Sequence, residues 1–70
     1  MAGSDAIRIE GVVLEALPNS VFWVELPNGH RVIARLPRRL QPMALVAGGK
    51  VVLEMSPADM SAGRIVMEKK

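Results

Sequence analysis

The sequence predicts a small all-β barrel, and two observations carry that prediction. Valine and isoleucine are frequent and alternate with other residues, and turn signals recur at short spacing. Half of the 70 residues are hydrophobic, so we expect one folded domain over residues 1–70 rather than a disordered chain. Residues 1–5 precede the first apolar alternation, and we expect them to form a flexible N-terminus.

The first strand is expected from Ile7 to Leu17, because Ile7 and Ile9 share one face and further apolar residues follow. Gly11 interrupts this strand, and a glycine inside a strand often marks a bulge or a sharp bend. A first strand bent at Gly11 would serve two packed sheets. The next stretch, residues 17–20, reads Leu-Pro-Asn-Ser and predicts a turn.

A β-hairpin is predicted at residues 25–32, ELPNGHRV, because Asn-Gly is the strongest short hairpin signal. The flanking strands are expected at Val21–Leu26 and His30–Leu36. A two-residue loop would put their apolar residues on opposite faces, whereas a three-residue Pro-Asn-Gly loop brings them together. Pro27 suits the second position of a type I turn, and Gly29 suits the left-handed residue of the bulge that follows. We therefore predict the three-residue loop.

This loop sets the register of the two strands. The residues expected to face the core are Phe22, Val24, Leu26, Val32, Ala34 and Leu36. The pairs expected on the outer face are Glu25 with Arg31, Trp23 with Ile33, and Val21 with Arg35. The Glu25–Arg31 pair is expected to contribute roughly 0.2–1 kcal/mol, and Trp23 is expected to be partly exposed beside cationic side chains.

Residues 37–49 lose the alternation, and two prolines interrupt them. Since proline costs about 3 kcal/mol inside a helix, we expect an irregular segment with at most one or two helical turns, closed by Gly48-Gly49. The fourth strand is expected at Lys50–Met55, with alternate residues inward.

The sequence SPAD at residues 56–59 predicts a short capped helical turn, with Ser56 as the cap and Asp59 reaching back. Ala62-Gly63 is expected to turn the chain into a fifth strand, Arg64–Glu68. Five strands with a short irregular or helical insert between strands 3 and 4 describe an OB-fold, a partly open Greek-key barrel.

The charges are unevenly placed although the net charge is only +2. No acidic residue lies between Glu25 and Glu54, whereas that interval holds Arg31, Arg35, Arg38, Arg39 and Lys50. A basic surface is the usual footprint of a polyanion partner, and a solvated charged face is the alternative. Guanidinium groups pair with phosphates and an indole can stack on an unpaired base, so Trp23 among these arginines suits RNA. The alternative is a surface Trp covered by arginine stems.

Several classes of site are not expected. The chain has no cysteine, and a lone His30 is a poor metal ligand, so we expect neither a metal nor a cofactor. A chain of 70 residues leaves little room for a catalytic cleft between strand carboxylates, so we expect no enzyme and no catalytic residue. We read no signal peptide and no membrane span, and we expect a cytoplasmic monomer.

Two longer motifs resemble those of bacterial translation initiation factor 1. They are EALPNSVFWVELPNGHRVIA at residues 15–34 and EMSPADMSAGRIV at residues 54–66. The resemblance implies an OB-fold that binds the small ribosomal subunit near the aminoacyl site, contacts ribosomal RNA, and cooperates with the other initiation factors. His30 matches the Asn-Gly-His of that family and Arg64 its Gly-Arg-Ile-Val, while Arg38 and Arg39 fall near its basic stretch.

The predicted RNA-binding residues are Trp23, His30, Arg31, Arg35, Arg38, Arg39, Lys50 and Arg64. The chain departs from the resemblance at Trp23, where the family has an arginine, and at residues 39–45, where its basic helix is shorter and less charged here. The alternative hypothesis is therefore a small β-barrel that retains the fold, either a protein-binding module or a divergent or engineered variant, with weakened or no ribosome binding.

Overall fold

The computed structural model describes residues 7–40, 45–56 and 59–69, and only the backbone of residues 59 and 60. The predicted flexible N-terminus and residues 41–44 of the predicted insert lie outside the described residues.

Five strands close into one barrel, which confirms the predicted OB-fold. The strands are β1 Ile7–Leu17, β2 Val21–Glu25, β3 Arg31–Arg35, β4 Lys50–Ser56 and β5 Asp59–Lys69. Their order around the barrel is β1-β2-β3-β5-β4. β3 and β5 pair in parallel, and the other pairs are antiparallel. The first four strands begin and end within one residue of their predicted bounds.

The long first strand serves two partner strands of one closed barrel, where the sequence predicted two packed sheets. Its first half pairs with β4 and its second half with β2, and Val12 takes part in both ladders. The irregularity that we expected at Gly11 lies instead between Val13 and Glu15, where the register with β2 shifts. Gly11 has a different role, because a Cβ atom there would stand 2.4 Å from Val24 Cγ1. The missing side chain lets β2 approach β1 closely.

The β2–β3 hairpin has the predicted three-residue loop. The Leu26 N–H donates to the His30 carbonyl at 2.8 Å, and the Gly29 N–H donates to the Leu26 carbonyl at 2.9 Å. Gly29 adopts a left-handed conformation with φ of +89°. The His30 N–H donates to Asn28 Oδ1 at 3.0 Å, so the loop asparagine holds the chain where β3 begins. All three predicted outer-face pairs are therefore confirmed.

Alternate residues of the strands fill the barrel, as the apolar alternation predicted. The buried apolar side chains of the described residues are Val13, Phe22, Val24, Leu26, Val32, Ala34, Leu36, Val51, Leu53, Met55 and Ile65. Since the same strands point their other residues outward, this filling fixes which side chains solvent can reach.

The start of the fifth strand was predicted wrongly. β5 begins at Asp59, which pairs with Ser56 of β4, so the predicted helical turn does not form at either end; residues 57 and 58 lie outside the described part. Ala62-Gly63 is not a turn but strand, because both residues pair in parallel with β3. Glycine fits there because a Cβ atom on Gly63 would stand 2.9 Å from Met55 Cγ.

The connection from β3 to β4 is anchored at both described ends. The Leu36 N–H donates to the Ser20 carbonyl at 2.9 Å, and a short 3-10 helix follows at Arg38–Leu40. Further on, the Gly48 N–H donates to the Val13 carbonyl at 2.7 Å, so the predicted Gly-Gly closure is tied to β1. One helical turn lies in the described part of this connection, and the predicted upper limit of two turns also covers residues 41–44, which lie outside the described residues.

Candidate nucleic-acid interface

A row of three apolar side chains crosses the outer surface of three neighbouring strands. Trp23 of β2 pairs with Ile33 of β3, and Ile33 pairs with Ala62 of β5. Paired residues on neighbouring strands point to the same side of a sheet, about 5 Å apart. Ile33 is 38% exposed and Trp23 is half-buried, so solvent reaches both. We call Trp23, Ile33 and Ala62 the apolar row.

Arginines flank this row. Arg31 and Arg35 are two residues before and after Ile33, so they lie on the same face, about 13 Å apart along β3. The parallel pairing places Arg64 of β5 beside Arg35. All three arginines are exposed. The structure therefore brings Trp23 together with three of the predicted cations, and we call this surface the arginine face.

One of these three cations is partly neutralised. Arg64 Nη2 donates to Glu54 Oε1 at 2.5 Å, and Arg8 Nε lies 3.5 Å from Glu54 Oε2. The hydrogen bond from Arg64 lowers the pKa of the Glu54 carboxyl below its ordinary value of 4.5; loss of hydration opposes this, and the positive charges of Arg64 and Arg8 lower the pKa further. No ion pair joins Arg31 or Arg35 to any carboxylate of the described residues, so both offer a full charge.

Arg38 and Arg39 extend the positive charge beyond the end of β3. Both are exposed and occupy the 3-10 turn that follows Leu36. No residue of this turn is buried. The two guanidiniums are therefore available to solvent at the Arg35 end of the face.

Two predicted residues lie away from the arginine face. His30 is exposed at the hairpin, on the Arg31 side. Lys50 pairs with Val12 on the other side of β1, and it borders an open groove shared with Glu10 and Glu25. This groove carries both positive and negative charges. Lys50 was predicted to act with the arginines, but it does not share a surface with them.

The sequence predicted Glu25 opposite Arg31, but it did not predict that Glu15 extends an acidic boundary along this face. Glu15 of β1 pairs with Trp23, and Glu25 of β2 pairs with Arg31. The β1 edge of the arginine face is thus negative, while the β5 edge is positive. Glu15 reaches this position through the register shift after Val13, which leaves no signal in the apolar alternation. Arg8 was also missed, because its link to Glu54 depends on the β1–β4 register.

The described part of the chain has neither a cluster of potential metal ligands nor a membrane-spanning helix. Its His, Asp and Glu residues form no group of three or more that could hold a metal ion. Within the same residues, no helix is long and apolar enough to cross a membrane.

Comparison with known proteins relates this chain to one family and to solved structures that include the two described below. A family model described as translation initiation factor 1A / IF-1 matches residues 3–69. The solution structure of translation initiation factor 1 from the Wolbachia endosymbiont strain TRS of Brugia malayi is 29% identical, with a TM-score of 0.78, over 99% of this chain and 84% of that chain. The crystal structure of YjeQ from Thermotoga maritima is 25% identical, with a TM-score of 0.71, over 91% of this chain and 23% of that chain.

Proposed function

Because this chain belongs to the translation initiation factor 1A / IF-1 family, we propose that it is an RNA-binding translation initiation factor that binds the small ribosomal subunit near the aminoacyl site. In this proposal the protein acts as a monomer in the cytoplasm, together with the other initiation factors. It contacts ribosomal RNA and catalyses no reaction. Binding occupies a site on the subunit, so affinity for RNA is the property on which the function depends.

The observation that carries the proposal is the arginine face. Arg31 and Arg35 are exposed, point outward from one strand, and form no ion pair with a described carboxylate. Guanidinium groups bind phosphate through two parallel hydrogen bonds, which makes arginine well suited to an RNA backbone. Arg38 and Arg39 lengthen the basic surface beyond β3, so it can follow several successive phosphates.

Co-sedimentation with purified small ribosomal subunits at low salt tests the proposal. The Arg31→Gln/Arg35→Gln double variant is expected to lose affinity by about ten-fold for each arginine, because each removes a charge-assisted hydrogen bond. The matched control is Arg8→Gln/Lys69→Gln, which removes the same charge from β1 and from the end of β5, where Arg8 and Lys69 bind Glu54 and Glu10. Equal losses in the two double variants would contradict an RNA site on the arginine face.

Growth rescue in a strain that lacks its own factor tests the role in translation. We expect the wild-type chain to restore growth and the Arg31→Gln/Arg35→Gln variant to restore it poorly. A folded wild-type chain that neither rescues growth nor binds small subunits would rule out the proposed function and favour a protein-binding barrel.

A further inference from the structure

We infer that Trp23 and Ile33 form a stacking platform for one unpaired base, so that the arginine face selects single-stranded RNA over duplex RNA. This inference deepens the proposed function and rests on it. It names the kind of RNA that the face recognises and assigns the apolar row a role that phosphate binding does not explain.

The platform has the shape that an unpaired base requires. Trp23 is half-buried, so part of the indole is anchored in the sheet while part remains open to solvent. Ile33 beside it is 38% exposed, and the next residue in the row, Ala62, is too short to obstruct a ring lying on Ile33. The flat face of a heterocyclic ring can cover such a row while the polar edge of the ring stays open to solvent.

The charges around the platform favour a nucleic-acid base over an apolar side chain of a protein. Arg31 and Arg35 lie on either side of Ile33, each about 7 Å away along β3. A base on the platform would therefore have a guanidinium near the phosphate on each side of it. A protein partner would need two carboxylates at the same places.

The arginine face also has one negative and one positive edge, and this charge distribution would set the path of a bound RNA strand. Glu15 and Glu25 repel phosphates along the β1 edge, whereas Arg35 and Arg64 attract them along β3 and β5. The RNA backbone would thus follow β3 and β5 and turn its base inward, over Ile33 towards Trp23. In a duplex the base faces are already stacked within the helix, so a duplex can meet the arginines but not the indole.

Trp23 provides its own reporter, because the chain has one Trp and no Tyr. The probe is an RNA of about ten nucleotides without self-complementarity, used alone and annealed to its complement. At low salt we expect the single strand to quench Trp23 fluorescence on binding, and the duplex to bind without comparable quenching. Failure of the single strand to quench when bound would overturn the inference.

Affinities from the anisotropy of end-labelled RNA give a second readout. Trp23→Ala is expected to weaken binding of the single strand by about 5- to 150-fold, and binding of the duplex by less than about two-fold. Trp23→Phe keeps an aromatic ring and is expected to restore most of the loss, which separates stacking from a fault in folding. The matched control is Met67→Ala, which trims a 50% exposed side chain that pairs with Val52 of β4 and lies beyond the part of β5 that pairs with β3.

The outcomes separate this inference from the proposed function. Equal losses for single strand and duplex in Trp23→Ala would overturn the platform, and intact binding to small subunits would then leave the proposed function standing. Loss of binding to a purified initiation factor in Trp23→Ala, with RNA affinity unchanged, would assign the platform to a protein partner and overturn the inference. A wild-type chain that binds neither RNA nor small subunits would overturn both the stacking inference and the proposed function.

Discussion

Two glycines of the barrel lack a side chain for different physical reasons. At Gly29 nothing lies within 4 Å of the position where a Cβ atom would stand, but the residue has a φ of +89°. At Gly11 the obstacle is space, since a Cβ atom would meet Val24 Cγ1 at 2.4 Å and the Glu25 carbonyl oxygen at 3.2 Å. Substitutions at the two positions therefore separate backbone strain from overpacking.

Gly29→Val is expected to destabilise the protein by about 1–3 kcal/mol, because a β-branched residue resists a positive φ. Gly29→Asn is the matched control, since asparagine tolerates the left-handed region better and the site has room for its side chain. Thermal unfolding monitored by circular dichroism measures both. An unchanged Tm for Gly29→Val would contradict the three-residue loop on which the outer-face register depends.

Gly11→Ala is expected to cost about 1–3 kcal/mol through overpacking. Val24 is fully buried, so its methyl group cannot move aside freely, and the carbonyl of Glu25 belongs to the backbone of β2. Denaturant unfolding gives the free energy, and Ala62→Gly, at an exposed outer position of β5, is a control for a single methyl change in a strand. A Gly11→Ala protein as stable as wild type would show that β1 and β2 can separate without penalty.

At the scale of single residues, the apolar alternation predicted the hairpin register because one face must be buried. Slipping the register by one residue would put Val24 and Val32 on opposite faces and expose one of them, so burial and turn chemistry agree on one solution. The same reasoning could not find Glu15 beside Trp23. That contact depends on an extra residue in β1, and a bulge leaves the apolar composition of a strand unchanged.

Among the strands, β5 shows where sequence patterns fail. Its first half, residues 59–63, contains no run of β-branched residues, and Ala-Gly is a common turn signal. Tertiary structure overrides that local signal, because the parallel partner β3 and the side chain of Met55 require a small residue at Gly63. Arg64 could therefore be named from its motif, but its place beside Arg35 could not be predicted.

An ion-pair network links three strands and predicts how stability depends on pH. Glu54 of β4 binds Arg64 of β5 and Arg8 of β1, and the pKa of its carboxyl lies below the ordinary 4.5 mainly because of the hydrogen bond from Arg64. A lowered pKa in the folded state stabilises the protein above the pKa of the unfolded chain, and this contribution is lost as pH falls through the folded pKa.

We therefore expect Glu54→Gln to lower the Tm at neutral pH and the difference from wild type to shrink as pH falls below about 4.5. Arg64→Gln is expected to reduce the same pH dependence, because it removes the main cause of the lowered pKa. Thermal unfolding between about pH 7 and pH 3 measures both variants. A Tm difference that stays constant over this range would contradict a stabilising role for the network.

For the molecule as a whole, the alternating sequence places one set of side chains inside the barrel and the other set on its outer surface. The inward residues make one core, and the outward residues of β2, β3 and β5 make the arginine face, so the position of this candidate site follows directly from the fold. The position of Lys50 could not be predicted from the order of charges along the chain. It follows the arginines in sequence, but closure of the barrel places it beyond β1, beside a mixed-charge groove.

The salt dependence of RNA binding measures how many cations of the whole surface act together. The cations placed on the arginine face or at its Arg35 end are Arg31, Arg35, Arg38, Arg39 and Arg64. Contact of about five cations with phosphate predicts a slope of log K against log salt of about −3.5 for single strands to −4.5 for duplexes.

Arg38→Ala/Arg39→Ala is expected to make that slope shallower by about 1.4 to 1.8 while leaving the Tm unchanged, because both arginines are exposed. Replacing Lys50 with alanine is the matched control and should leave the slope nearly unaltered, since that residue lies outside the arginine face. A Lys50→Ala slope that is shallower by about 0.7 to 0.9, the change expected for one cation, would show that Lys50 also binds phosphate and that the RNA extends around β1 beyond the arginine face.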